Sequence, residues 1–327
     1  MNWQPAASMA ILRRRAEMLA EIRRFFAQRQ IMEVCTPALS PGGATDPNIQ
    51  SVALELKAFP RQPLRYLHTS PELAMKRLLA AGSGPIYQLC TVFRDNEAGR
   101  LHRPEFTMLE WYRPGWHYHN LIEEVLELIG AVVREIKPGE ARRFSYRELF
   151  QNYAGLDPLT ATAQECRECC RRFELPVADS MTEDVNEWLD WIIGALIAPR
   201  LPQNGLTCVY DFPSSQAALA RIRNDSPPVA ERFEIFWGPL ELANGFQELT
   251  DAAEQRLRFE RDNALRREKG LPVIGLDERF LAAMETGLPE SSGVALGVDR
   301  LLMVVTGAKH IRDVVSFADD PEWSNPG

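Results

Sequence analysis

The sequence predicts an α+β fold in which a central antiparallel sheet is flanked by helices. Three observations carry this expectation. Residues 86–112 (IYQLCTVFRDNEAGRLHRPEFTMLEWY) read as two apolar strands joined by a charged loop of about ten residues, a hairpin pattern. Residues 232–237 (RFEIFW) and 240–249 (LELANGFQEL) form a second strand pair. Segments at 8–30 and 117–137 place apolar residues at helical spacing. With 327 residues and 45% hydrophobic content, the chain has ample material for a core.

Taken in order, Ser8 caps a helix running to about residue 30, with Leu12, Ala16, Leu19, Ile22 and Phe26 on one face and arginines on the other. It leads into Ile31, Met32, Glu33 and Val34, then Thr36 and Pro37. Residues 40–63 are rich in Gly, Pro, Asn and Ser and read as a loop over a site. Residues 66–69 form a short strand. Ser70, Pro71 and Glu72 then open a helix with a capping residue, a proline at its first position and an acid in its first turn.

In the hairpin, alternation puts Phe106, Met108, Glu110 and Tyr112 on one face and Glu105, Thr107, Leu109 and Trp111 on the other. Arg94 closes the outgoing strand, and Arg100, His102 and Arg103 crowd the loop, where guanidinium groups could clamp phosphate oxygens bidentately. The helix at 117–137 follows, with Leu121, Val125, Leu128, Val132 and Ile136 as its stripe. Residues 140–230 read as helical with breaks, including a helix at 185–197 and a strand at 207–212. His117 and His119 lack a visible third ligand and read as surface residues. Cys166, Cys169 and Cys170 have no second pair at zinc spacing and read as free thiols.

The second strand pair spaces Glu234, Glu241 and Glu248 at intervals of seven. Strict alternation would split Glu241 from Glu248, but Asn244 and Gly245 between them suit a bulge that resets the face. All three acids would then share one cavity. Acids so concentrated on apolar strands call for cations, and Mg2+ bridging phosphate oxygens fits a site with few carboxylates.

The hairpin resembles motif 2 of class II aminoacyl-tRNA synthetases. GVALGVDRLLM at 293–303 resembles their motif 3, and the helix-then-strand segment ending in Thr36 and Pro37 resembles motif 1. The lysyl subgroup is the most similar, through TSPELAMKRL at 69–78, FRDNEAGRLHRPEFTMLEWY at 93–112 and ELANGFQELTDAAEQ at 241–255. This resemblance implies a class II catalytic core over residues 1–327, a helical insertion at roughly 117–205, and a homodimer through residues around 10–37. It implies that Arg94 takes the α-phosphate of ATP and Arg300 the terminal phosphates, that Phe106 stacks on adenine, and that Asp95, Asn96, His102, Arg103, Leu242 and Gly297 complete the ATP site. Glu234 and Glu241 would hold Mg2+ with ATP. Ser70, Pro71, Glu72 and Ala295 would line the amino-acid pocket, Glu72 holding the amino group beside the carboxylate to be activated. Glu110, Tyr112 and Glu248 would receive a side-chain ammonium, which needs anionic or lone-pair partners once buried. Three positions depart from the pattern. Asn96 stands where an acid usually meets the adenine amino group, with Glu97 next to it; Arg103 stands where Asn is usual, and Ala295 where Gly is.

The formal net charge of −8 argues against a large nucleic-acid surface, since such binding draws on phosphate neutralisation. No apolar run approaches the about 18 residues of a membrane span, and the start lacks a secretory signal, so the cytoplasm is expected. About ten residues precede the first helix, too few for the anticodon-reading domain of lysyl-tRNA synthetases. A core without that reader resembles the synthetase paralogues that load an amino acid onto a protein, as does the Trp111, Tyr112, Arg113, Pro114 ending of the hairpin strand. That likeness implies (R)-beta-lysine as substrate and elongation factor P, not tRNA, as acceptor. A minimal enzyme charging tRNA or another small acceptor, and a catalytically idle regulator, are the alternatives.

Overall fold

The structure is a computed structural model and describes residues 3–133, 140–177, 181 and 183–318. Helix α1 (Met9–Gln28) starts where Ser8 Oγ accepts the Ile11 N–H at 3.3 Å, and buries Met18, Ile22, Phe25 and Phe26. Strand β1 (Met32–Glu33) follows. Strands β2 (Leu39–Ser40), β3 (Ala53–Glu55) and β4 (Leu64–Leu67) make a separate three-stranded antiparallel sheet, so the stretch expected as an open loop is tied to β4 from both sides. Next come α2 (Glu72–Ala80), β5 (Ile86–Phe93), β6 (Glu105–Pro114) and α3 (Tyr118–Val132). The expected extension of α3 to Ile136 and Lys137 lies outside the described residues.

The middle of the chain contains β7 (Arg142–Ser145), α4 (Tyr146–Ala154), α5 (Ala163–Arg172), α6 (Val185–Ile192) and β8 (Leu206–Pro213). Helix α6 runs on through one wider turn at Ile193–Ile197, which accounts for the helix expected at 185–197. Strand β7 was not expected, because RRFS is short and half of it faces solvent. The remainder is β9 (Ile222–Arg223), β10 (Val229–Trp237), β11 (Leu240–Gln247), α7 (Ala252–Glu268), α8 (Glu278–Gly287), β12 (Ser291–Gly297) and α9 (Val298–Thr306).

Among the described residues the main sheet runs β1-β5-β6-β12-β11-β10-β8-β7, with β9 on β10. Its interior pairs are antiparallel as expected, but the edges are not: β1 lies parallel to β5, and β7 parallel to β8. The sheet is therefore mixed. One face carries the principal core, where Leu109 and Trp111 of β6, Phe233 and Ile235 of β10, and Val294 and Leu296 of β12 meet α1, α3 and α9. A second cluster joins α4, α5 and α6 to β8, and Cys166, Cys169 and Cys170 are buried in it as free thiols.

Two local features differ from expectation. The bulge in the β10–β11 pair lies at Leu242, since Ile235 opposes Ala243 while Phe236 opposes Glu241. Asn244 and Gly245 pair regularly. Gly245 serves close packing instead: a Cβ there would lie 2.6 Å from the Phe233 ring, 2.7 Å from Gly293 O and 2.7 Å from Val294 Cβ. Arg15, expected on the solvent side of α1, turns inward. Its guanidinium binds Asp299 Oδ1 at 2.5 Å and Thr107 Oγ1 at 2.7 Å, while Asp299 Oδ2 accepts the Thr107 N–H at 2.7 Å. This network fixes the start of α9 against α1 and β6. No helix among the described residues is long and apolar enough to cross a membrane.

Candidate active site

The face of the main sheet opposite the principal core borders a cavity of about 920 Å³. Phe106, Met108, Glu110 and Tyr112 line it together, as the alternation of β6 requires, while Leu109 and Trp111 enter the core behind. The bulge at Leu242 restores Glu241 to the face of Asn244, Phe246 and Glu248, so both expected acids of this strand reach the cavity.

One set of lining residues is acidic and converges from three elements. Ser70, the cap the sequence suggested, accepts the Glu72 N–H at 2.9 Å although the helix begins one position later, with Pro71 at the N-cap; it donates to Glu110 Oε2 at 2.7 Å. Tyr112 donates to Glu110 Oε1 at 2.7 Å. Pro71, Glu72, Glu248 and Ala295 also line the wall, and Ala295 lies between Glu110 on β6 and Asn244 on β11. Burial pushes the Glu110 carboxyl up to about 7, and Glu72 adds to the shift. Burial likewise pushes Glu248 up to about 8, with Lys76 pulling it down and Glu72 and Glu110 pushing it up. Tyr112 is raised well above its ordinary value, by burial first and then by the same carboxylates.

Two members of this region were not singled out in the sequence. Lys76, with its side chain fully buried, binds Glu72 Oε1 at 2.5 Å and also touches Glu248 Oε2. Its position four residues after Glu72 on a helix was the available signal. Gly293 is the other: a Cβ there would fall 2.3 Å from Glu248 Oε1 and 2.4 Å from Tyr112 Cε1.

The second set of lining residues is cationic and aromatic. Arg94 lies over Phe106 with 5.2 Å between guanidinium carbon and ring centroid, and donates to Thr69 O at 3.4 Å. Arg300, at the start of α9, donates to Glu241 O at 2.9 Å and to His102 Nε2 at 2.7 Å. Because a guanidinium can only donate, the His102 ring accepts there and is neutral; burial, then Arg300, lowers its pKa. Arg103, Leu242 and Gly297 also line the cavity. Arg100 does not; it points to Lys309 O at 3.1 Å.

Three expected residues lie outside the wall. Asp95 and Asn96 occupy a turn in which Asp95 Oδ1 accepts the Asn96 N–H at 2.9 Å and Asn96 takes a left-handed φ of 64°. That turn returns Glu97 to the cavity, 3.5 Å from Arg94 Nη1, so Glu97 and not Asn96 presents a side chain there. Glu234 shares the face of Asn244 across the strand pair but is held by Arg232 Nη2 at 2.6 Å, and among the described residues it is not part of the wall. Burial pushes its carboxyl up to about 7; Arg232 opposes this and Glu241 adds to it.

The family model for class II tRNA synthetases (D, K and N) matches residues 1–321. The chain belongs to that family. Among curated members, the elongation factor P--(R)-beta-lysine ligase of Haemophilus influenzae strain PittGG is 49% identical over 321 residues, 98% of each chain. The proteins of that name from Histophilus somni strain 2336 and Pasteurella multocida strain Pm70 are 48% and 47% identical, over 98% and 97% of each chain respectively. The class II motifs legible in the sequence thus correspond to β5–β6, the β12–α9 junction and the α1–β1 segment of this synthetase fold.

Proposed function

We propose that this protein is an ATP-dependent ligase that activates (R)-beta-lysine, and weakly alpha-lysine, as an aminoacyl adenylate and transfers it to a lysine side chain of elongation factor P. One observation carries the reading: the acidic set and the arginine pair line the same cavity. A diamino acid placed between them would present its ammonium groups to Glu72 on one side and to Glu110, Tyr112 and Glu248 on the other. Its carboxylate would then face the arginines. The names of the relatives support the choice of amino acid and acceptor.

In the first step the amino-acid carboxylate attacks the α-phosphorus of ATP in line and pyrophosphate departs. Arg94 would neutralise charge growing on the α-phosphate, and Arg300, held by Glu241 O and His102, would do so on the departing phosphates. Phe106 offers a ring face for adenine, with Glu97 as the nearer acceptor for its amino group. Asp95, Asn96, Arg103, Leu242 and Gly297 would shape the rest of that site. In the second step a neutral lysine amine of the acceptor attacks the mixed anhydride and AMP leaves. Positioning and electrostatics suffice for both steps, and no side-chain nucleophile is invoked.

Glu241 and Glu234 suit Mg2+. They sit on one face, and Glu241 raises the Glu234 pKa, so two carboxylates could share an ion whose other ligands are phosphate oxygens. When bound, the ion would supply positive charge between phosphates. Glu234 must leave Arg232 to take part.

The test is amino-acid-dependent exchange of pyrophosphate into ATP. Wild type should exchange with (R)-beta-lysine, and Arg94→Ala and Arg300→Ala should each lose roughly 10³-fold with the fold intact. Robust exchange by both variants would sink the assignment.

A further inference from the structure

Lys76 is an ammonium group sealed inside the acidic set of the cavity. Its side chain is 0% exposed, and its Nζ bridges Glu72 Oε1, at 2.5 Å, and Glu248 Oε2. The bridge takes one oxygen from each carboxylate, and among the described residues the second oxygen of each has no partner. Of the two buried Glu248 oxygens, Oε2 meets the Lys76 ammonium and Oε1 meets no hydrogen-bond partner among the described residues. Three carboxylates (Glu72, Glu110, Glu248) and one ammonium leave the group with two surplus negative charges. Burial is the first reason the carboxyls of Glu110 and Glu248 titrate high, and the neighbouring carboxylates add to it; Lys76 is itself held above its ordinary value, because burial disfavours its charge but Glu248 and Glu72 outweigh burial.

Among the described residues Lys76 is the cation paired with Glu72 and Glu248, while Glu110 accepts from Ser70 and Tyr112. From β6, Glu110 and Tyr112 face the group, and Phe246 of β11 lies 5.4 Å from Nζ. Helix α8 packs beside Leu73 of α2 through apolar Phe280, Leu281 and Met284, while Asp277 and Arg279 at its start line the same cavity.

We propose that Lys76 is a positioning residue, a fixed strut that holds Glu72 and Glu248 against each other and so sets the spacing at which the cavity receives the two ammonium groups of a diamino acid. The inference rests on the functional reading above and deepens it. Without the strut the two carboxylates repel, and Glu248 loses the cation that keeps it ionised. It would have to shed a proton before binding an ammonium. It would also be free to settle at another distance from Glu72.

The experiment compares wild type with Lys76→Met and the charge-retaining Lys76→Arg. Pyrophosphate exchange is measured between pH 6 and 9 with (R)-beta-lysine, alpha-lysine and ornithine, whose ammonium spacings differ. Lys76→Met should raise KM for the diamino acid about 10- to 100-fold at pH 7, with KM for ATP within about twofold. Its kcat/KM should rise with pH through a midpoint at least about one unit above that of wild type. Its preference among the three amino acids should shrink, while Lys76→Arg should keep the wild-type midpoint. A Met variant with wild-type midpoint and preference would overturn the strut. Wild type exchanging with no diamino acid would overturn the functional reading instead, and the strut then stands or falls on folding. In that arm, melting of Lys76→Met should weaken as pH rises, and Lys76→Met combined with Glu248→Gln should recover it. Equal weakening at all pH values and no recovery would mean that Lys76 only fills space.

Discussion

Replacing Gly293 by alanine adds one methyl at the most crowded point of the cavity. Its Cβ would lie 2.3 Å from Glu248 Oε1, 2.4 Å from Tyr112 Cε1 and 2.6 Å from Tyr112 Cδ1. Neither neighbour can retreat freely: Glu248 is fully buried and touches Lys76, and the Tyr112 hydroxyl is held by Glu110 at 2.7 Å. Gly293 itself is fixed between Tyr112 on β6 and Phe246 on β11. Overpacking of this kind costs about 1–3 kcal/mol, and since the displaced groups are the proposed ammonium receivers, kcat/KM for the diamino acid should fall roughly 5- to 150-fold. The KM for ATP should hardly change. Gly245→Ala is the control, because its clashes are with Phe233, Gly293 O and Val294; it should lower stability without singling out the amino acid. Exchange kinetics with each substrate varied in turn decide the matter. Equal losses in both KM values for Gly293→Ala, or none, would refute the placement of Glu248 and Tyr112.

Ala295 lies across from Glu110 and Asn244 on the cavity face, so Ala295→Gly should raise kcat/KM for alpha-lysine relative to (R)-beta-lysine by roughly 10- to 200-fold; an unchanged ratio would leave Ala295 a packing residue. His102 has a lowered pKa, so its neutral form and its bond to Arg300 are fully present above the ordinary histidine value near 6.5 and are lost as pH falls through the lower, folded value. Exchange should therefore decline on the acid side, and His102→Gln should flatten that limb; an unaltered limb would assign it to another group. Helix α1 and β1 resemble the dimer motif of class II enzymes, and sedimentation should give about twice the 37.1 kDa chain mass at micromolar concentration; a monomer would contradict it.

The parts of the fold legible in the sequence are those set by one local rule. Alternation along β6 assigned both its faces, and the periodic stripe of α3 placed Leu121, Val125, Leu128 and Val132 in the core. Errors arose where a residue answers to distant packing. Gly245 looked like a bulge, yet its backbone is not left-handed; it is small because Phe233 and β12 press on it, and the bulge fell at Leu242. Arg15 looked like a solvent residue because its partners, Asp299 and Thr107, are far away in the chain. Strand β7 could not be read from four mostly polar residues that gain their pairing only from β8. In the site, strand and helix positions were legible but charge pairing was not. Lys76 holds two carboxylates and Arg232 one that the sequence left open to ligands, and the left-handed turn at Asn96 exchanged it for Glu97.

The central claim is the transfer of a diamino acid to a protein lysine. It is tested most directly by incubating the enzyme with ATP, Mg2+ and labelled (R)-beta-lysine, with elongation factor P and tRNA present together as competing acceptors. The account predicts label bound covalently to a lysine of elongation factor P, with AMP released in equal amount and tRNA unlabelled. Label on tRNA alone, or adenylate formed without label on either acceptor, would contradict it.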